Sequence, residues 1–190
     1  MKKQPQITDA TRNAFIDAFC KLYMKTPIEK ISIRELTSVA GYNRTTFYHY
    51  FEDIYGLLTY MEDSAIAHIR ENIVGNITGG HIEQGFLDTF TQIYEGWEPY
   101  IKVLVANPNS ARFIERLKSE MFHACLDAFR LPKDDVKAAY VLDFYLSAVL
   151  SVISRWIRNE GDISITDMGE LLRSILTKGA LPQIKKYSAG

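Results

Sequence analysis

The chain has 190 residues, 47% of them hydrophobic, which is ample for a buried core, and its two cysteines are too few for a disulfide framework. A formal net charge of −1 excludes a protein that is basic all over. The charge is unevenly spread, however: residues 1–51 hold eight Lys or Arg against four acids, and the remainder hold 14 against 19. A basic head on an acidic body suits a reader of polyanions with a separate regulatory part, because counterion release needs positive charge only at the phosphates. Lys2 and Lys3 lead into polar residues rather than the apolar run of a secretory signal. The longest apolar stretch, 140–153, is interrupted by Asp143, Ser147 and Ser151 and falls short of the roughly 18 residues of a membrane span. We therefore expect a cytoplasmic protein with no membrane segment, in which Cys20 and Cys125 are small buried side chains.

In chain order, Thr8 is a plausible cap for a first helix over 8–24, whose inward stripe is Ala14, Phe15, Ala18, Phe19, Leu22 and Tyr23. Pro27 lies in the connecting loop. Ser32 followed three residues later by Glu35 reads as a capping box, with Ile31 and Leu36 as its hydrophobic staple. Gly41, lacking a Cβ, permits the left-handed exit that stops this helix. Asn43 caps a further short helix, and Tyr42 with Phe47 repeats the staple spacing. Two short helices around a glycine turn make a helix-turn-helix.

In the second of these helices Phe47 and Phe51 fall on one face, and Arg44, Thr45, Tyr48 and His49 on the other. The outward face is all hydrogen-bonding groups with no carboxylate. An arginine at the helix start offers paired donors that fit guanine O6 and N7, threonine methyls pack on a thymine methyl, and the Tyr48 hydroxyl suits a phosphate oxygen. A helical hairpin with a merely solvated polar face would show the same pattern.

The segment resembles the DNA-binding domain of the tetracycline-repressor (TetR) family, in Gly41, Asn43, Arg44, Thr45, Thr46, Phe47, Tyr48, His49, Tyr50 and Phe51, preceded by Ile33, Leu36 and Ala40. The likeness covers about residues 8–75 and beyond that is architectural. It implies an all-α chain of about nine helices, with a three-helix DNA-binding domain at 1–52 and a helical ligand-binding and dimerisation domain at 53–190. By position it implies that Arg34 contacts bases from the second helix, that Arg44, Thr45 and Thr46 read bases, and that Tyr48 binds phosphate. Ser32, Asn43 and His49 complete the expected contact set. One position departs: Ile54 stands where the family usually has a lysine, which implies either a modest affinity for DNA or a greater reliance on Lys2, Lys3 and Lys30.

Asp53 can cap a long fourth helix with the stripe Ile54, Leu58, Met61, Ala65 and Ile69, fading at Gly75 before the Gly79-Gly80 break. The body then reads as helices. Ile82, Phe86, Phe90, Ile93 and Trp97 give one stripe, with a break expected at Glu98-Pro99 and a short helix at 100–106. Asn107-Pro108-Asn109 is a turn, and Phe113, Leu117, Met121, Cys125 and Phe129 follow at spacing four. The helix over 134–159 is apolar on more than one face, Gly161 closes it, and a last helix over 166–177 carries Met168, Leu171, Leu172, Ile175 and Leu176. A helix apolar nearly all round must be covered on several sides, so the last two helices are expected to pair with their copies in a homodimer. Two-fold symmetry would also place two recognition helices about 34 Å apart on a palindromic duplex operator.

Nothing catalytic or metal-binding is expected. The four histidines (His49, His68, His81, His123) lack metal-site spacing, and phosphate-loop and nucleophile-elbow motifs are missing. No cofactor is implied. A small-molecule effector is expected in an aromatic pocket formed by Tyr94, Trp97, Tyr100, His123, Tyr140 and Phe144, acting by shifting the fourth helix. Two other readings remain. The final third is similar to family members that regulate dihydroxyacetone-kinase operons, where a partner protein takes part in sensing. From a different class, the chain could be a helical adaptor that binds no DNA.

Overall fold

A computed structural model describes residues 5–78, 82–107, 110–132 and 134–179. Lys2, Lys3, the Gly79-Gly80 break, Pro108 and Asn109 lie outside them, as do the side chains of Thr8, Ile82, Phe86, Phe90, Ile93 and Leu176. Among the described residues the chain forms eight α-helices and one 3-10 turn: α1 (Pro5–Tyr23), the turn (Ile28–Lys30), α2 (Ile33–Ala40), α3 (Arg44–Tyr48), α4 (Ile54–Thr78), α5 (Ile82–Ala106), α6 (Ala111–Ala128), α7 (Val136–Arg158) and α8 (Ile165–Lys178). It divides into two compact units, Met1–Ala65 and Ile66–Gly190. The division falls within α4 rather than at the expected 52/53 boundary, because Ile54, Leu57 and Met61 at the start of α4 are buried apolar residues of the first unit.

The first unit is built around aromatic rings. Phe15, Phe19, Leu36, Phe47 and Leu57 are fully enclosed. Phe15 meets the Phe47 ring edge-on at 5.4 Å and the Tyr42 ring at the same separation, so α1 is the bed for both short helices. The inward face of α1 is wider than the expected stripe, since Ile16 and Cys20 are buried as well. Burial pushes the Cys20 thiol up to about 12, which keeps it protonated and unreactive.

In the second unit α5 packs on α8 and α7, and α6 packs on α7. The interior holds Ile101, Val103, Leu104 and Val105 of α5 and Phe113, Leu117, Met121 and Cys125 of α6. Leu142, Leu146, Val149, Trp156 and Ile157 of α7 join them, with Met168 and Leu172 of α8. The expected break at Glu98-Pro99 does not occur: α5 runs through Pro99 as one helix of 25 residues. A proline costs one backbone bond there, but the buried residues on the next turn and a 2.6 Å ion pair from Lys102 to Glu98 across the proline hold the helix together. The Lys102 ammonium accordingly holds the Glu98 carboxyl below its ordinary value. Beyond α7, Gly161 adopts φ +69° and the Trp156 indole donates to Ile163 O at 2.8 Å, closing the turn into α8. Ser164, capping α8 by accepting from the Asp167 amide at 3.0 Å, was not anticipated.

By length and composition α7, at 23 residues, is long and apolar enough to cross a membrane, against the expectation from the interrupted 140–153 stretch. It is two-sided. One face is buried, while Val136, Tyr140, Val141 and Phe144 are 65–75% exposed, and Asp143 pairs with Lys118 of α6 at 2.8 Å.

Candidate nucleic-acid interface

Local hydrogen bonds fix the helix-turn-helix. Ser32, extended at φ −87° and ψ 145°, accepts from the Glu35 amide at 3.1 Å, although the reciprocal bond from Glu35 back to Ser32 is not formed among the described residues. Thr37 Oγ1 donates to Ile33 O at 2.8 Å, which keeps a buried hydroxyl satisfied inside α2. Gly41 takes φ +76° and ψ 24°, and the Tyr42 amide returns to Thr37 O at 3.0 Å. Asn43 Oδ1 then accepts from the Thr46 amide at 2.8 Å and from the Thr46 hydroxyl at 3.0 Å, opening α3.

These bonds sort the expected contact residues. Ser32 and Asn43 spend their side-chain oxygens on caps, and the half-buried Thr46 spends its hydroxyl on Asn43. Their remaining capacity toward a ligand is the Ser32 O–H, the Asn43 amide group, and the lone pairs and methyl of Thr46. Arg34, Arg44, Thr45, Tyr48 and His49 are exposed, with no side-chain hydrogen bond or ion pair among the described residues. Beneath them Phe47 is fully enclosed and meets Phe51 at 5.6 Å, so α3 is held from its inner side while its outer side stays open. No carboxylate lies between Glu35 and Glu52. Ile54 is buried, at 5% exposure, so this position cannot take the place of the lysine it replaces. Asp53 caps α4 by accepting from the Gly56 amide at 2.7 Å, as the sequence suggests.

The residues expected to line an effector pocket divide into two sets. Tyr94, Trp97 and Tyr100 are half-buried on α5 and enter two ring clusters: Trp97 stacks on His68 at 5.1 Å and meets Tyr100 at 5.6 Å, and Tyr94 meets Trp156 at 4.7 Å. Burial raises the Tyr94 hydroxyl above its ordinary value. His68 and Trp156 complete these clusters, one each. Trp156 is legible as one of the body's aromatic residues, whereas His68 is not, since it lies on a different helix from α5 and no local spacing links the two. His123, Tyr140 and Phe144 join neither cluster. His123 is exposed on α6 with Nδ1 2.8 Å from Ser119 O, and Tyr140 and Phe144 project from the outer face of α7, so within one chain they wall no interior space.

A family model described as the transcriptional regulator C-terminal region (TetR_C_8) matches residues 80–178, more than half of the chain. The chain belongs to the TetR family. It is thus a TetR-family transcriptional regulator with an all-α fold. Among solved structures, it is similar to a TetR transcriptional regulator from Streptococcus agalactiae 2603V, with 20% identity, 90% of this chain and 95% of that one covered, and a TM-score of 0.64. It also resembles a TetR-family transcriptional regulator from Streptomyces coelicolor, at 16% identity over 85% of this chain and 78% of that one, with a TM-score of 0.57. A third likeness is to the TetR-family repressor AlkX of Dietzia sp. strain DQ12-45-1b, implicated in n-alkane biodegradation, at 19% identity over 91% and 97% of the two chains and a TM-score of 0.51. At these identities the three likenesses establish the fold alone. No curated protein matches the sequence.

Proposed function

We propose that this TetR-family regulator binds duplex DNA sequence-specifically through Arg34, Arg44, Thr45, Thr46, Tyr48 and His49, with Ser32 and Asn43 holding the two helices that carry them. The observation that carries this reading is the state of α3: a rigid inner side on Phe47 and an outer side of exposed, uncommitted donors without an acid. In this reading Arg44 reads a guanine and Tyr48 grips a phosphate. The protein acts as a homodimer through α7 and α8 on a palindromic operator, with reading assigned to residues 1–52 and regulation to 53–190. It represses until a small apolar or aromatic effector, held near Tyr94, Trp97 and Tyr100, favours the state that cannot dock both heads.

The test is binding to a duplex selected from a random pool, titrated with salt. A reader loses affinity steeply as salt rises, whereas a helical adaptor shows no duplex affinity at all. Arg44→Ala should cost about 1–3 kcal/mol and relax preference at one base pair. A uniform loss over all sequences would recast Arg44 as a phosphate contact. The exposed Tyr140 and Phe144 also fit a second reading, in which a partner protein rather than a second copy covers this face and takes the sensing role, as in regulators of dihydroxyacetone-kinase operons. A preparation that is dimeric and releases DNA with small molecules alone would exclude it.

A further inference from the structure

Arg12 counts among the eight basic residues of the head and could be taken for a phosphate contact. Its surroundings are of another kind. On α1, its Nη1 donates to Asp9 Oδ1 at 2.9 Å, one turn back. Its guanidinium carbon lies 5.8 Å from the centre of the Tyr50 ring and 5.4 Å from that of Tyr60. Tyr50 belongs to the turn that leaves α3, its amide returning to Phe47 O at 2.9 Å, and Tyr60 sits on α4. One cation therefore touches α1, the exit of the recognition helix and α4. The rings it covers are linked by Phe51, which lies 6.4 Å from Tyr50 and 5.7 Å from Tyr60.

We propose that Arg12 is a positioning residue for DNA recognition: its guanidinium, clamped between Tyr50 and Tyr60, sets the angle at which α3 leaves toward α4, and it makes no phosphate contact of its own. A planar, delocalised cation is suited to this because it lies on two ring faces while Asp9 orients its edge, and a partly exposed site keeps its desolvation cost low. The aromatic core already holds Phe47 in place, so the clamp acts at the exit of α3, fixing its tilt and limiting how often the helix opens from that end. The inference rests on the reading of the head as a DNA reader.

The experiment compares the full-length wild type, Arg12→Gln and Arg12→Lys on a duplex selected from a random pool by the wild type, and on a scrambled duplex, over a range of salt. Arg12→Gln should weaken the selected duplex about tenfold, in line with two partly exposed cation–π contacts. Scrambled-duplex affinity and the slope of log affinity against log salt should stay unchanged, and Arg12→Lys should recover part of the loss. A salt slope lower by about one would make Arg12 a phosphate contact, and equal affinity of Arg12→Gln and wild type would remove its role; either overturns the proposal. Hydrogen exchange of the α3 amides, measured without DNA, separates the two levels of argument. Faster exchange in Arg12→Gln, restored in Arg12→Lys, supports the clamp even if the wild type binds no duplex, in which case it is the DNA-reading assignment that falls. Unchanged exchange overturns the clamp whatever the duplex result.

Discussion

Gly41 and Gly161 both hold positive φ, at +76° and +69°, yet the space around them differs. A Cβ built on Gly41 meets nothing within 4 Å, so alanine there would suffer only the left-handed backbone. We expect Gly41→Ala to lower stability by about 1 kcal/mol in urea unfolding, with asparagine costing less. At Gly161 a Cβ lies 3.4 Å from Trp156 Cζ2, on the indole that closes the turn into α8, so Gly161→Ala should cost more than Gly41→Ala in the same measurement. Equal losses would mean that the Trp156 ring yields freely. Both glycines were legible in the sequence, because a glycine closing an apolar run is a local signal. The ring beside Gly161 was not, since it depends on how the turn folds back on the helix.

At the scale of elements, α3 is the extreme case, with five residues. A helix so short cannot stabilise itself and relies on its cap and on packing. Asn43→Ala removes the acceptor of both the Thr46 amide and hydroxyl, and should cost about 1 kcal/mol, seen in urea unfolding and as faster exchange at the Thr46 amide. If neither changed, packing of Phe47 alone would account for α3. The starts of α2, α3 and α4 were readable because Ser32, Asn43 and Asp53 act within three residues of themselves. Continuity of α5 through Pro99 was not, because the local rule favours a break and it is chiefly tertiary burial of Ile101, Val103, Leu104 and Val105 that overrides it. That single merger accounts for eight α-helices among the described residues where about nine helices are expected from the sequence. Leu57 escapes the expected stripe because both Leu57 and Leu58 fit helical spacing after Ile54, at three and four residues, and only the packed structure shows that Leu57 is the enclosed one.

At the scale of the molecule, the proposed homodimer turns on α7. The sequence marked it as apolar on more than one side, but periodicity does not say which side a neighbour covers. The structure leaves Tyr140 and Phe144 at 74% and 75% exposure, outside the aromatic clusters with which they had been placed. A contiguous aromatic surface of this kind on one helix is what a second subunit would cover. Because neither side chain is needed to hold one chain together, Tyr140→Asp with Phe144→Asp should leave the helical content intact and convert the protein to a monomer in sedimentation. Duplex affinity should then fall to that of one half-site. A double variant that stays dimeric would move the interface elsewhere on the second unit.

The alternation in α3, an enclosed Phe47 amid outward Arg44, Thr45, Tyr48 and His49, separates what keeps the element folded from what it can say. Outward letters can be exchanged one at a time without loosening the peg beneath them. With α3 as the proposed DNA reader, a lineage carrying such a helix would drift to new target sites through ordinary point changes, each intermediate still folding, and an engineer seeking altered sequence preference would have the same four positions to vary.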